Sequence, residues 1–199
     1  MDTHTPMSLN AGITTAPLTT LILDKIVEQI DLLEEMIARV PPDQVHSTPP
    51  LPSASFPTPR SLGEVLGHLL QCLAGFLAVS HAARPGELGF LLEMKNRRIN
   101  HACDREEALQ RIEEYRRHLH GAFAVLTDDD LSRVVGTVFV AEGQAVLTLL
   151  LGNLEHLINH KHELFYYLKL LGVPLTSRDL YRFRNKLSRS NVERVDARG

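Results

Sequence analysis

AVLTLLLGNLEHLINHKHELFYYLKLLG, residues 145–172, runs without a proline and ends on a glycine, with Pro174 just beyond. That is the ordinary C-terminal stop of a helix, so the stretch predicts one long helix from Ala145 to Leu171. Three earlier segments show the same periodicity. Leu18, Ile22, Ile26, Ile30, Leu33, Ile37 and Val40 recur in steps of three and four, up to Pro41-Pro42. A second helix opens at Ser61, where Ser-Leu-Gly-Glu has the form of a capping box. Its apolar stripe runs from Leu62 to Leu77, and Arg84-Pro85-Gly86 ends it. The third starts near Asp104, whose carboxylate can cap it, and buries Ala108, Ile112, Tyr115, Leu119, Phe123 and Leu126. Four substantial helices and little strand predict an all-α fold, an up-down-type four-helix bundle with long loops. A short C-terminal helix, capped by Thr176 or Ser177, is expected through SRDLYRFRNKL.

The connections are less regular. PPDQVHSTPPLPSASFPTPR, residues 41–60, holds seven prolines and is a long loop. Residues 86–103 carry no clear period. LSRVVGTVFVAEGQ, residues 131–144, alternates weakly and fits either a short hairpin or a loop. These boundaries divide the chain into an N-terminal tail (1–17), a bundle domain (18–175) and a basic extension (176–199).

Composition narrows the function classes. The chain has 199 residues, 44% hydrophobic and 23% charged, without tryptophan and with a net charge of −3. An aliphatic palette of this kind favours helices. The charge is too near neutral for a dedicated nucleic-acid or membrane-surface protein, and the most apolar window, near Ala145–Leu151, is too short to span a bilayer. From Ser177 onward seven basic residues face three acidic ones, a local +4. Arg178, Arg182, Arg184, Lys186 and Arg189, with Tyr181 and Phe183, could supply charge and stacking for a nucleic acid, but a solvated helix end explains them equally. Cys72 and Cys103 form no CxxC pattern and read as buried thiols in a reducing compartment. The N-terminus lacks the form of a signal peptide. A cytoplasmic location is therefore expected.

The histidines carry the chemistry. At 100° per residue, His160 falls about 40° from His156, Glu163 about 20° to the other side, and Tyr167 about 20° away, so all four share a stripe. Two histidines at i and i+4 can bring their rings onto one ion. Glu163 is placed to ligate, to hydrogen-bond a ligand or to act as a base, and Tyr167 stands behind it. His162 falls well away from the stripe. The same spacing also occurs on solvated surface helices, since Glu155, Asn159, Tyr166 and Lys169 make the adjoining face polar. His68, at the border of the second helix's apolar stripe, is a candidate third ligand, with Glu64 one turn before it and Cys72 one turn after.

SLGEVLGHLLQ around His68, followed by HLINHKHELFYYLKLLGVP from His156, resembles the DinB/YfiT-like superfamily. Its members are four-helix proteins regarded as metal-dependent enzymes. They typically carry one histidine on the second helix and an HxxxH on the fourth, closed by a glycine where this chain has Gly172. The resemblance covers roughly residues 18–175 and implies that His68, His156 and His160 bind a divalent metal. Zinc or nickel comes first for such a set, with iron and manganese also compatible. It further implies a small-molecule substrate, a homodimer, and thiol transfer or isomerisation with a low-molecular-weight thiol, or else hydrolysis. In that scheme Glu163 and Tyr167 handle protons. Two features depart from the family pattern. Lys161, His162 and Glu163 stand where Arg-Gly-Gln is frequent, and the tryptophan often found before the second helix is missing. The alternative is a non-catalytic, stress-related bundle that binds or assembles, with a structural or vestigial metal site.

Overall fold

A computed structural model describes residues 16–48, 60–137 and 140–182. Four α-helices build it: α1 (Leu18–Ile37), α2 (Leu62–Ala83), α3 (Arg105–Val125) and α4 (Val146–Leu170). The architecture is all-α. Two predicted caps form as the sequence implies. Ser61 and Glu64 close a reciprocal capping box at the start of α2, and Asp104 accepts from the Glu107 amide at 2.7 Å. These bonds satisfy amides that the first turn of a helix otherwise leaves without partners. At the far end of α4, Gly172 takes φ +81°. Glycine carries no steric cost there, so the chain can leave the helix at once.

α2 packs against α4 and α3, and α1 packs against the same two helices, so α1 and α2 lie diagonally across the bundle. The chain therefore goes from α1 to its diagonal partner α2, a step that a short loop would not serve. α2 carries the largest share of the core, including Leu62, Val65, Leu66, Leu69, Leu73 and Phe76, all buried. By length and composition it could cross a membrane, but 67% of its most apolar window is buried inside the protein. The long apolar helix is thus α2 rather than the window near Ala145–Leu151.

The ambiguous segments resolve into short elements. Residues Gly89–Asn96 form a 3-10 helix, and β1 (Val134–Val135) pairs antiparallel with β2 (Gln144–Ala145). Of the predicted C-terminal helix, the described residues form a single 3-10 turn, Ser177–Asp179, capped by Thr176. Arg39–Asp179 at 2.9 Å and an Arg182–Glu35 pair hold that segment against α1. Phe183, Arg184, Lys186 and Arg189 lie outside the described residues, as do residues 1–15 and the centre of the proline-rich loop.

Lys161 and Asp130 are among the polar groups sunk into the core. Lys161 on α4 is 1% exposed and donates to Gln29 Oε1 at 2.5 Å and to the Leu180 carbonyl. Burial lowers its ammonium to about 8. Asp130, 3% exposed, accepts from Arg84 at 2.7–3.0 Å, from the Thr127 amide and hydroxyl, and from Arg133. It ties the C-terminal end of α2 to the loop entering β1.

Candidate metal centre

The geometry of the site begins with two glycines on α2. The chain entering α3 passes directly over this helix: a Cβ at Gly67 would stand 1.8 Å from the His101 carbonyl oxygen, and one at Gly63 would stand 3.0 Å from that of Cys103. No side chain fits at Gly67 without moving backbone. The Cys103 amide bonds the Gly63 carbonyl at 3.1 Å and fixes the crossing. Asn100, in the left-handed region at φ 55°, turns its side chain onto His68. Its Oδ1 lies 2.9 Å from His68 Nδ1.

α4 lies along the other side of α2 and supplies the remaining histidines. His68 Nε2 is 3.3 Å from His156 Nε2 and 3.0 Å from His160 Nε2. The three rings stand at 72–82° to one another. His156 and His160, which helical spacing puts on one stripe, therefore meet His68, with one candidate ligand atom each, all within 4.8 Å. His156 is exposed and the other two half-buried, so the cluster is open to solvent on the His156 side. His162 does not join them. Its Nδ1 donates to the Ile158 carbonyl on its own helix, at 2.9 Å.

The outward nitrogens decide what the inward ones can do. Glu163 Oε2 lies 2.7 Å from His160 Nδ1. An ionised carboxylate only accepts, so Nδ1 carries the proton and, in the neutral ring, Nε2 presents a lone pair. Asn100, with its oxygen toward the ring, imposes the same tautomer on His68. Two imidazole lone pairs then face each other at 3.0 Å with no hydrogen between them. His156 Nδ1 has the softer neighbour Cys72 Sγ at 3.8 Å. Such a donor set fits a divalent cation, with Asn100 and Glu163 as the outer partners that orient ligand rings.

Electrostatics agree with that assignment. Burial lowers the His68 and His156 imidazoles, and the neighbouring His160 adds to it, which favours the neutral, ligating form. Burial alone would raise Glu163, but the His160 hydrogen bond and the Arg60 guanidinium outweigh it and hold the carboxyl low. The Arg60 guanidinium lies 3.8 Å from Glu163. Tyr167 is 5% exposed, with its hydroxyl at the Arg60 backbone, and burial followed by Glu163 raises it, so it stays protonated. Burial pushes Cys72 up to about 12, so it remains a thiol.

Of the three roles the sequence left open for Glu163, this geometry gives it the second, hydrogen-bonding a candidate ligand. Asn100 and Arg60 escaped the sequence reading. Asn100 belongs to a segment without periodicity, and its only local signal is that asparagine tolerates positive φ. Arg60 precedes the α2 cap, where nothing in the spacing points toward α4.

Bundle and cluster together define a helical protein with a three-histidine site suited to a divalent metal. The model of the DinB superfamily matches residues 23–169, and the chain belongs to that superfamily. Among solved structures, a DinB-like protein of Bacillus subtilis, YjoA, is 18% identical with a TM-score of 0.58. The match covers 78% of this chain and 94% of that one, and it shows a shared fold. No curated protein matches the sequence.

Proposed function

We propose that this protein is a metal-dependent enzyme that acts on a small molecule, with His68, His156 and His160 holding one divalent ion. The observation that carries the reading is the 3.0 Å approach of two ring nitrogens whose outer partners both turn lone pairs inward. Zinc or nickel suits three neutral imidazoles best, and iron or manganese is compatible. A bound ion would polarise a carbonyl or acidify a thiol or water. Transfer or isomerisation with a low-molecular-weight thiol is the reaction class we favour, with hydrolysis as the variant that needs only water.

The chain's own residues divide the remaining work. Glu163 holds the His160 ring in its ligating tautomer. Arg60 stands close enough to steady that carboxylate. Tyr167, neutral and buried behind Glu163, is the group that can give up a hydrogen bond or a proton at its hydroxyl. The exposed edge of His156 supports catalysis over an inert structural site, because a substrate can reach it. A cytoplasmic homodimer belongs to the same proposal and rests on cysteine usage and family membership.

Elemental analysis of protein purified without chelator tests the reading. Close to one ion per chain is expected, and His160→Ala should remove most of it. Metal-free protein that ignores added zinc, nickel and manganese would end the proposal.

A further inference from the structure

The face of α2 that carries His68 continues past the histidines. At 100° per residue, Gln71, Gly75 and Ala82 lie within about 60° of His68, with Ala78 beside them. The opposite face buries Leu62, Leu66, Leu69 and Leu73, so this face is the small one. The space it leaves is a cavity of about 750 Å³, walled across from α2 by Leu91, Leu92 and Ile99. A second cavity of about 230 Å³ is lined by His156 and Asn153. Both have Gly75 and Thr137 in their walls, so the larger space adjoins the exposed edge of the histidine cluster. Gly75 is needed at the junction, because a Cβ there would stand 2.5 Å from Asn153 Oδ1.

Two observations describe the occupant. Leu92 and Ile99 face the larger cavity yet remain 52% and 41% exposed, so large aliphatic groups there lack a protein cover. Among the described residues that line it, Arg97 is the one fixed charge, and Glu114 neutralises it at 2.5 Å. A concave, apolar space of this size with few polar groups suits a drug-sized molecule. With its one fixed charge already paired, it favours an uncharged body over a phosphate, a nucleotide or a zwitterion. The helix from His68 to Ala82 spans about 21 Å, which makes the combined space elongated.

We infer that the substrate of the histidine site is an elongated small molecule whose uncharged aliphatic or aromatic body lies along α2 between Gly75 and Ala82, while its polar reacting end reaches His156. The inference rests on the function proposed above and names the substrate class for it. Thr137, which lines both cavities, and Asn153, against Gly75, are the polar groups at the point where head and body join.

n-Alkyl hydroxamates, from acetohydroxamate to decanohydroxamate, provide a test when titrated by calorimetry into the zinc-loaded full chain. Affinity should rise roughly three- to fourfold with each methylene that enters the cavity. Ala78 is an exposed helix position, so Ala78→Phe should fold while filling the space. That variant should abolish the chain-length dependence and leave acetohydroxamate binding unchanged. Ala82→Leu serves if circular dichroism shows Ala78→Phe to be unfolded. Affinities that ignore chain length, or a dependence both variants leave intact, overturn the inference while acetohydroxamate binding preserves the metal site. If no zinc is retained, the metal reading fails separately, and the metal-free chain is titrated with Nile red. Dye binding that Ala78→Phe weakens at least tenfold then supports the apolar site, and binding that is absent or unaffected overturns it.

Discussion

The two ends of α2 each hold a buried or half-buried polar cluster, finished in opposite ways. Next to the C-terminal end, Asp130 accepts from Arg84, Thr127 and Arg133, and every partner points at the one carboxylate. Charge and hydrogen-bonding capacity are matched within the protein. Near the N-terminal end, His68 and His160 are satisfied only on their outer sides, by Asn100 and Glu163. Their inner nitrogens meet lone pair to lone pair. Breaking a matched cluster costs stability, because donors such as the Thr127 amide are left without their acceptor. An unmatched one costs stability in the metal-free chain and is useful only toward a ligand that brings positive charge.

Breaking each cluster in turn should therefore give opposite results. The largest effect is expected at the histidines. Zinc affinity should fall by more than about a hundredfold in His160→Ala, beyond what loss of an outer partner does, while the melting temperature of the metal-free chain stays unchanged or rises. Calorimetric zinc titration and thermal unfolding in chelator read the two quantities. A metal-free chain that loses several degrees would mean the cluster supports the fold.

Asp130→Ala should do the reverse, costing about 2 kcal/mol in urea unfolding because the Thr127 amide and the Arg84 guanidinium lose their acceptor, with zinc affinity unaltered. The effect also carries a pH signature. Burial alone would raise the Asp130 carboxyl, but the Arg84 and Thr127 hydrogen bonds hold it well below the usual carboxylate range. A carboxyl depressed in the folded state contributes stability above its unfolded value, about 3.9. The contribution is lost as pH falls from there through the folded value. The gap between the parent chain and Asp130→Ala should accordingly be constant near neutrality and narrow below about pH 4.

Much of this contrast was legible in the sequence, on one side only. HxxxH spacing put His156 and His160 on one stripe because helical periodicity is local. Ser61 and Asp104 could be recognised as caps for the same reason. Convergence with His68 needed the packing of α2 on α4, which periodicity does not encode. The border position of His68 made it a candidate, and the family resemblance turned the candidate into an expectation. Asn100, Arg60 and the Asp130 cluster were invisible, since each acts through contacts between distant segments. Lys161 is the clearest case. Its charge argues for solvent, yet tertiary partners on α1 and in the C-terminal segment hold it in the core.

Gly67 is where the comparison can be sharpened, because it serves geometry at the histidine end alone. Gly67→Ala must push back the backbone at His101. A cost of about 2 kcal/mol is expected from the displaced packing, together with weaker zinc binding as Asn100 leaves His68. If zinc affinity survives, Asn100 does not orient the ligand.

The smallest changes separate orientation from packing. Glu163→Gln and Asn100→Ala should each weaken zinc binding by about tenfold, within the range for outer partners of a ligand histidine. Both should leave unfolding free energy within about 0.5 kcal/mol. Additive effects on affinity would show that the two act on separate rings.

X-ray absorption at the metal edge, on the full chain loaded with one equivalent of zinc or nickel, tests the central claim most directly. Three imidazole nitrogens at about 2.0–2.1 Å, with any further ligand an oxygen or an added thiol, are the predicted result. Two or fewer imidazoles in the parent chain, or a spectrum that His68→Ala leaves unchanged, would contradict it.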